Sequence, residues 1–196
     1  MKFLGKMWAW FTKPSRRAGA GVLVAAGILG GVFLTAGFNW SVEYTNSTEF
    51  CMSCHSLKPA VEEWQESHHY SNPSGIRAEC KDCHVADAFW PKMGDKVAAY
   101  NDVLHELLGT IDTREKFEER RPVLSERVWE RMRRTDSREC RSCHEWNQMA
   151  MADQAPRARR EHEQGLEDGD ACIDCHKGVA HKYPKEEEEF DMDFGF

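Results

Sequence analysis

All eight cysteines of this chain fall in four C-x-x-C-H motifs, and this repeated spacing constrains the fold more than any other feature. The motifs occupy residues 51–55, 80–84, 140–144 and 172–176. Two cysteines at this spacing form thioether bonds to the vinyl groups of a haem, while the histidine that follows them reaches the iron. Zinc ribbons, thioredoxin-like sites and disulfide frameworks also pair cysteines, but none of them requires a histidine after every pair.

The motifs therefore predict four covalently bound haems c. The attachment residues are Cys51, Cys54, Cys80, Cys83, Cys140, Cys143, Cys172 and Cys175. Each iron takes its proximal ligand from the same motif, and these ligands are His55, His84, His144 and His176. After residue 40 the chain provides only about 40 residues per haem, so we expect the haems to pack together and form much of the core.

An uncharged segment precedes the motifs. It covers residues 18–40 and would form a helix of about 34 Å, long enough to cross a bilayer core. The only charged residues before it are basic, and all 33 acidic residues lie after residue 40. The positive-inside rule therefore leaves residues 1–17 in the cytoplasm and exports the residues after the anchor. A cleaved signal peptide is the alternative, but the apolar run is longer than in such peptides, and no clear A-x-A site comes after it.

We thus predict a single-pass anchor in the bacterial cytoplasmic membrane, with the haem domain in the periplasm. Five of the 26 basic residues precede the anchor, so 21 basic residues face 33 acidic ones in the exported part. This balance argues against nucleic acid and anionic lipid headgroups as partners. The lipid bilayer is a partner through the anchor. The glycines of the anchor would let two anchor helices pack closely, so a homodimer remains an alternative.

The haem motifs occur in two similar halves. A histidine lies between the two motifs of each half, at His69 in the first and His162 in the second. The sequence predicts a mainly α fold: one N-terminal transmembrane helix, and a small helical and loop tetrahaem domain built from two duplicated dihaem modules. We assign residues 41–91 to the first module, 92–135 to a helical connector, 136–184 to the second module and 185–196 to an acidic tail.

The connector reads as two helices. The first is opened by Pro91 and ends near Gly109, with apolar residues recurring at helical spacing between them. The second begins near Thr113 and is perturbed at Pro122. We expect short helices and loops elsewhere, with hardly any strand.

Distal ligands come from the remaining histidines. The chain has nine, and four are proximal. His69 and His162 occupy matching places in the repeat, and His181 follows the last motif, so we predict these three as distal ligands. His68 is expected to be a sequence neighbour of the ligand His69 and not a ligand itself. His105 is expected to be a packing or surface residue. Three distal ligands for four haems leave one haem either open as a reaction site or completed by an unusual ligand.

The chain resembles the NapC/NirT family of membrane-anchored tetrahaem quinol dehydrogenases, which includes NrfH-like and CymA-like proteins. The resemblance runs from the anchor to His181. It rests on the four motifs in this order and on the stretches HYSNPSG, GTIDTREKFEERR, ECRSCHEW and GLEDGDACIDCHKGVAHKYP. It implies oxidation of menaquinol or ubiquinol from the membrane quinol pool at the outer membrane face, with electrons passed singly to a periplasmic reductase.

The resemblance also implies a quinol site at the first haem, where family members use a lysine and a carboxylate. The matching residues here are Lys96 and Asp102. Six positions separate them, about 240° around an ideal helix, so they would share one face only if the helix were irregular. The alternative for each is a solvated helix charge.

Two positions depart from relatives. In NrfH-like members a methionine two residues after the first motif ligates the first haem, and here that residue is Leu57. Leucine cannot bind iron, so His55 is the better proximal ligand. Asp87 stands near a place where some NapC-like members have a histidine. An aspartate would serve less well as a ligand, so the count of three is unchanged.

The terminal acceptor is the least determined part of the prediction. The connector sequence GTIDT followed by EKFE resembles that of NapC-like members. This resemblance implies a periplasmic nitrate reductase, or its cytochrome subunit, as the acceptor, with nitrite and trimethylamine N-oxide reductases as alternatives. A passive relay or anchor subunit without its own quinol site is a second alternative. A haem enzyme that reduces nitrite or hydroxylamine itself is a third, but it would gain nothing from an anchor beside its first haem.

Overall fold

The computed structural model describes residues 5–6 and 20–184. The predicted cytoplasmic segment, apart from residues 5–6, and the acidic tail lie outside the described residues. The chain forms two compact units, Met1–Thr45 and Asn46–Phe196, and each is described by itself.

The first unit contains helix α1, Ala20–Tyr44. Its stretch Gly21–Tyr44 is long and apolar enough to cross a membrane. A helix suits this role because every backbone polar group is bonded within the segment. The helix continues four residues past Trp40, whose ring stacks on Tyr44 with centroids 5.5 Å apart. The Thr45 hydroxyl closes the helix end by donating to the carbonyl of Ser41 at 2.8 Å.

The second unit is a set of helices and loops. Its α-helices are α2 (Thr48–Met52), α3 (Lys58–Glu66), α4 (Cys80–His84), α5 (Phe89–Leu107), α6 (Arg114–Arg134), α7 (Arg138–Arg141), α8 (Pro156–Asp168) and α9 (Cys172–Cys175). Three single 3₁₀ turns cover His55–Leu57, Trp146–Gln148 and Met151–Asp153. No strand occurs within residues 20–184, and the predicted mainly helical fold is confirmed.

In the second and fourth motifs both cysteines lie on one short helical turn, whereas Cys54 and Cys143 follow the ends of the helices that contain Cys51 and Cys140. Residues three apart lie on one side of a helix, so a turn aims both thiols of a motif the same way. Two of the turns are capped by an aspartate inside the motif. Asp82 Oδ2 accepts a hydrogen bond from the backbone N–H of Glu79 at 2.8 Å, and Asp174 Oδ2 accepts one from Ala171 at 3.0 Å.

The connector contains the two helices predicted for it. Helix α5 begins two residues before Pro91, which the first turn tolerates because no intrahelical partner is needed there. It ends before Gly109, whose φ of +62° suits glycine. Helix α6 begins after Thr113, whose hydroxyl accepts from the N–H of Lys116, and it continues through Pro122.

The hydrophobic core of the second unit is small. Trp129 and Met132 of α6 pack with Ala171 and Ile173 at the fourth motif. Seven apolar side chains in the described residues are buried, which is a small core for a unit of this length. This sparse core agrees with the prediction of an interior formed largely by haems.

A buried ion pair joins α3, α6 and the chain near its end. Arg121 is 4% exposed and Glu63 is 7% exposed. The guanidinium donates two hydrogen bonds to Glu63, at 2.6 and 2.9 Å, and one to the carbonyl of Lys182 at 3.2 Å. Glu63 Oε2 in turn accepts from the N–H of Lys182 at 3.1 Å. These bonds hold the segment around residue 182 against α3.

Removal of one partner from this pair is expected to destabilise the protein strongly. Arg121→Met leaves Glu63 buried without its cation, which costs about 3–5 kcal/mol. The measurement is the free energy of unfolding of the haem-loaded protein in detergent, from guanidinium titration followed by far-UV circular dichroism. Arg134→Met is the control, because its pair with Glu130 is exposed and such pairs contribute about 1 kcal/mol at most. Equal losses in the two variants would contradict the assignment.

Candidate haem centres

The four motifs are neighbours in chain order. The thiols of Cys51 and Cys80 lie close enough to shift each other's pKa, so the first motif is next to the second. Cys83 of the second motif interacts with Cys140 of the third. Cys140 interacts in turn with Cys172 of the fourth. Groups attached at these thiols would therefore follow one another along the domain.

A strained turn brings the third and fourth motifs together. Asp136 and Ser137 have φ values of +53° and +46°, a left-handed backbone that side chains rarely adopt. Ser137 is fully buried, and its hydroxyl accepts a hydrogen bond from the N–H of Ile173 at 3.1 Å. The bond joins the turn before Cys140 to the middle of the fourth motif. It therefore fixes the distance between the third and fourth motifs.

Three pairs of imidazoles face each other across the domain. The ring centroids are 6.3 Å apart for His69 and His144, 6.1 Å for His84 and His181, and 5.8 Å for His162 and His176. Two imidazoles bound to opposite sides of one iron by bonds of about 2 Å have centroids about 6 Å apart. Each pair joins one predicted proximal histidine to one predicted distal histidine. The residues present therefore fit haem at three motifs.

The pairs connect the two halves of the sequence. His69 of the first half lies beside the histidine of the third motif, and His181 of the second half lies beside that of the second motif. Only His162 faces a histidine of its own half. His181 thus faces the second motif and not the motif that precedes it by five residues.

Each distal histidine has an oxygen near its Nδ1 atom. Nδ1 of His69 lies 3.3 Å from the Val179 carbonyl, and that of His162 lies 2.6 Å from Gln154 Oε1. Nδ1 of His181 lies 3.9 Å from the Glu63 carboxylate. A proton held at Nδ1 leaves Nε2 free to bind iron.

Burial keeps several of these imidazoles neutral. It lowers the pKa of His84 to about 4, and the nearby His181 and Arg131 act in the same direction. Burial also lowers the pKa of His181 and of His176. A neutral ring near pH 7 is the form that binds a metal ion.

His55 differs from the other proximal histidines. Its side chain is 89% exposed, and the described residues place no imidazole opposite it. The backbone N–H groups of His55 and Ser56 each donate to the carboxylate of Glu106 at 3.0 Å. Hydrogen bonds from Ser56 and His55 lower the pKa of Glu106. Helix α5 is thereby tied to the first motif.

Lys96 and Asp102 both lie on helix α5, which is one continuous helix over this stretch. The charge of Lys96 acts on the Cys51 thiol. Asp102 lies near His105, Arg127 and Arg131, and burial by surrounding protein atoms raises its pKa although one side stays open to solvent. The two predicted quinol-site residues are thus both on α5 but on different faces.

Four residues that are not predicted to bind iron remain to be placed: the two other histidines and the two positions that depart from relatives. His68 is exposed. His105 lies 2.7 Å from the Thr110 hydroxyl, a contact that closes the end of α5. Leu57 ends the 3₁₀ turn after the first motif, and Asp87 is exposed.

Sequence reasoning missed three polar residues that lie beside the haem-ligand histidines or bind the backbone of their motifs. Glu63, Gln154 and Glu106 stand outside every motif, and each meets its partner only after folding. No local pattern marks them, since acids and amides at these positions look like ordinary surface residues. Gly178 was also missed, although its place in CHKGVAH, between two histidines, was a signal for a tight turn.

Gly178 sets the path of the chain to His181. Its φ is +75°, and a Cβ atom there would lie 2.5 Å from the Tyr183 ring. The Tyr183 hydroxyl donates to the Lys177 carbonyl at 3.1 Å, so the ring cannot move without breaking this turn. A residue larger than glycine therefore cannot fit at position 178 without displacing the Tyr183 ring.

Gly178→Ala is expected to displace His181 from His84. One haem then loses its sixth ligand, and the high-spin signal in the electron paramagnetic resonance spectrum of the oxidised protein grows. Gly169→Ala is the matched control, because Gly169 has the same φ of +75° with open space around it. It should cost about 1 kcal/mol of backbone strain and leave the spectrum unchanged. The assignment is wrong if the two variants give the same spectrum.

Adjacent C-x-x-C-H motifs, facing imidazoles and an apolar N-terminal helix define a membrane-anchored multihaem cytochrome c. Residues 13–186 match the NapC/NirT cytochrome c family, N-terminal region. The chain belongs to this family. It is a c-type cytochrome with covalently bound haem, held in the bacterial cytoplasmic membrane by one helix, with its haem domain in the periplasm.

Relatives of known name match over most of the chain. Cytochrome c-type protein NapC of Escherichia coli K12 is 43% identical over 180 residues, which cover 91% of this chain and 90% of that protein. Denitrification system component NirT of Stutzerimonas stutzeri is 44% identical over 190 residues, covering 96% and 94%. A tetraheme cytochrome-c type protein of Allochromatium vinosum is 46% identical over 166 residues, covering 84% and 90%. No solved structure matches the chain.

Proposed function

We propose that this protein carries four haems c, oxidises quinol at the periplasmic face of the cytoplasmic membrane and passes the electrons to a periplasmic reductase. The observation that carries the proposal is the contrast among the four proximal histidines. Those of the second, third and fourth motifs face a second imidazole, whereas His55 is exposed beside α5. The first motif is thus the end suited to a reactant, and the other three suit a relay.

The haems supply one-electron redox chemistry when bound. The residues of the chain set their positions and ligands. His84 with His181, His144 with His69, and His176 with His162 serve as the proximal and distal ligands at three motifs. His55 is the proximal ligand at the first. Contacts between successive motifs keep the four attachment sites close enough for electrons to pass in chain order.

Lys96 binds quinol, and Asp102 accepts one of the two protons that are released on its oxidation to quinone, while the other passes to water. The ammonium group of Lys96 donates a hydrogen bond to a quinol oxygen. The Asp102 carboxylate accepts a proton, and its raised pKa brings it closer to the pH at which it works. Because these residues lie on different faces of α5, we infer that the lysine binds the quinol directly and the carboxylate receives the proton through water.

Quinol-dependent haem reduction tests this proposal. Lys96→Ala and Asp102→Asn should each slow reduction by menaquinol or ubiquinol analogues at least ~10²-fold, the usual contribution of a positioned acid or base. Haem content and reduction by dithionite should be unchanged. Lys182→Ala and Asp153→Asn are the matched controls, because both side chains are exposed and lie outside α5 and the haem motifs. Unchanged quinol oxidation in the α5 variants would instead identify a passive relay or anchor subunit.

The pH dependence of quinol oxidation gives a separate test of Asp102. The carboxylate must be ionised to accept a proton, so the rate falls as the pH drops through its pKa. Burial raises this pKa, and the positive charges of His105, Arg127 and Arg131 partly oppose the shift. We therefore expect the acid limb of the rate profile to lie above the ordinary aspartate value of about 3.9. The limb should vanish in Asp102→Asn, and its persistence there would exclude Asp102 as the acceptor.

For the acceptor, we propose a periplasmic nitrate reductase or its cytochrome subunit. The connector stretch GTIDT with EKFE supports this choice. A relative named as a denitrification system component keeps nitrite reductase as the second candidate, and trimethylamine N-oxide reductase is a third. The test is to mix the quinol-reduced protein with each purified acceptor and to follow haem reoxidation by stopped-flow absorbance. Fastest reoxidation by an acceptor other than nitrate reductase would overturn the choice.

A further inference from the structure

Helix α5 has its polar face toward the protein and its apolar face toward the outside, the reverse of an ordinary surface helix. Three acids, Asp95, Asp102 and Glu106, fall on one side of the helix, within about 40° of one another. Asp95 Oδ2 accepts from the N–H of Ala86 at 2.8 Å, and Asp95 Oδ1 lies 3.5 Å from Arg131 Nη1. Together with the bonds of Glu106 to the first motif, these contacts turn Asp95 and Glu106 toward the domain, while Asp102 between them stays partly open to solvent.

The opposite side of α5 forms an exposed apolar stripe. It consists of Trp90, Val97, Tyr100, Leu104, Leu107 and Leu108, which lie within about 100° around the helix axis. Trp90, Val97 and Leu107 are 80%, 77% and 81% exposed. The stripe runs for about 27 Å along the helix, too long to be covered by a single haem. Soluble surfaces rarely expose so much contiguous apolar area without a partner.

We propose that the apolar stripe lies in the outer surface of the cytoplasmic membrane, in contact with lipid. Its composition suits that place, since Trp90 and Tyr100 are the aromatic types that prefer the boundary between acyl chains and headgroups. Lys96 borders the stripe, where a lysine stem lies along apolar surface while the ammonium reaches water. The contact is apolar, as in interfacial amphipathic helices, so the acidity of the domain does not oppose it as it would oppose electrostatic binding to anionic headgroups.

Chain length also places α5 near the membrane. Only residues 45–50 separate the end of the membrane-spanning helix at Tyr44 from Cys51 of the first motif. Fully extended, such a segment reaches about 25 Å at most. Glu106 binds the backbone of the same motif at 3.0 Å, so the length of the intervening chain limits how far this end of α5 can lie from the residue at which the chain leaves the bilayer.

The membrane contact explains how quinol reaches Lys96. A quinol is dissolved in the lipid, and a lysine at the edge of an inserted helix meets it without the quinol crossing water. This consequence rests on the proposed quinol oxidation. The lipid contact itself does not, because it follows from the inverted polarity of α5 and the reach of the chain.

Photo-crosslinking of the full-length, haem-loaded protein tests the contact. The protein is reconstituted in vesicles of phosphatidylethanolamine and phosphatidylglycerol, with a photoreactive residue at one position: Leu104→p-benzoylphenylalanine or Val97→p-benzoylphenylalanine. Adducts are identified by mass spectrometry, and haem content confirms folding of each variant. The control is Ile76→p-benzoylphenylalanine, because Ile76 is an apolar residue 71% exposed on a loop outside the stripe.

Phospholipid adducts at both stripe positions and none at Ile76 are the expected result. Adducts between two copies of the chain would overturn the proposal in favour of a dimer interface on α5. No adduct at the stripe, or equal lipid adducts at Ile76, would also overturn it. The readout does not depend on quinol oxidation, so a protein that fails to oxidise quinol but forms lipid adducts would refute only the proposed function.

Discussion

The haem domain depends on imidazoles that meet across the two halves of the chain. His69 reaches the third motif and His181 reaches the second, so residues 75 and 97 positions apart approach within about 6 Å. A polypeptide with so small a hydrophobic core gains much of its order from such long-range contacts. The Arg121–Glu63 pair supports one of them, because it binds the backbone of Lys182 next to His181.

In the proposed function, helix α5 is the element that brings the haem domain into contact with lipid. Its acids bind the haem domain, and Glu106 binds the motif whose histidine is exposed. Its apolar side faces away from the domain. Under the proposed function, this reversed polarity puts charged side chains beside the proton acceptor and apolar ones on the side from which a lipid-soluble substrate would arrive. One helix therefore combines the attachment of the first motif, the candidate quinol residues and the proposed lipid contact.

Much of the local structure could be predicted from sequence. Helix α6 begins where Thr113 caps it, and α5 ends before Gly109, because capping and backbone preferences act over a few residues. Pro122 was expected to perturb α6, yet the helix continues through it, held by contacts of Arg121 and Trp129 with the rest of the domain. Glu63, Gln154 and Glu106 could not be predicted, since their partners lie at least eight positions away.

The sequence by itself determined the chemistry of the protein. Four C-x-x-C-H motifs specify covalent haem attachment, and the uncharged segment with basic residues before it specifies a membrane anchor, because both depend on spacing and composition within a short stretch. The tertiary structure decided which imidazoles face each other, which histidine is left exposed and which side of α5 faces the protein. Those are distances between residues far apart in the chain, and only the packing of the helices sets them.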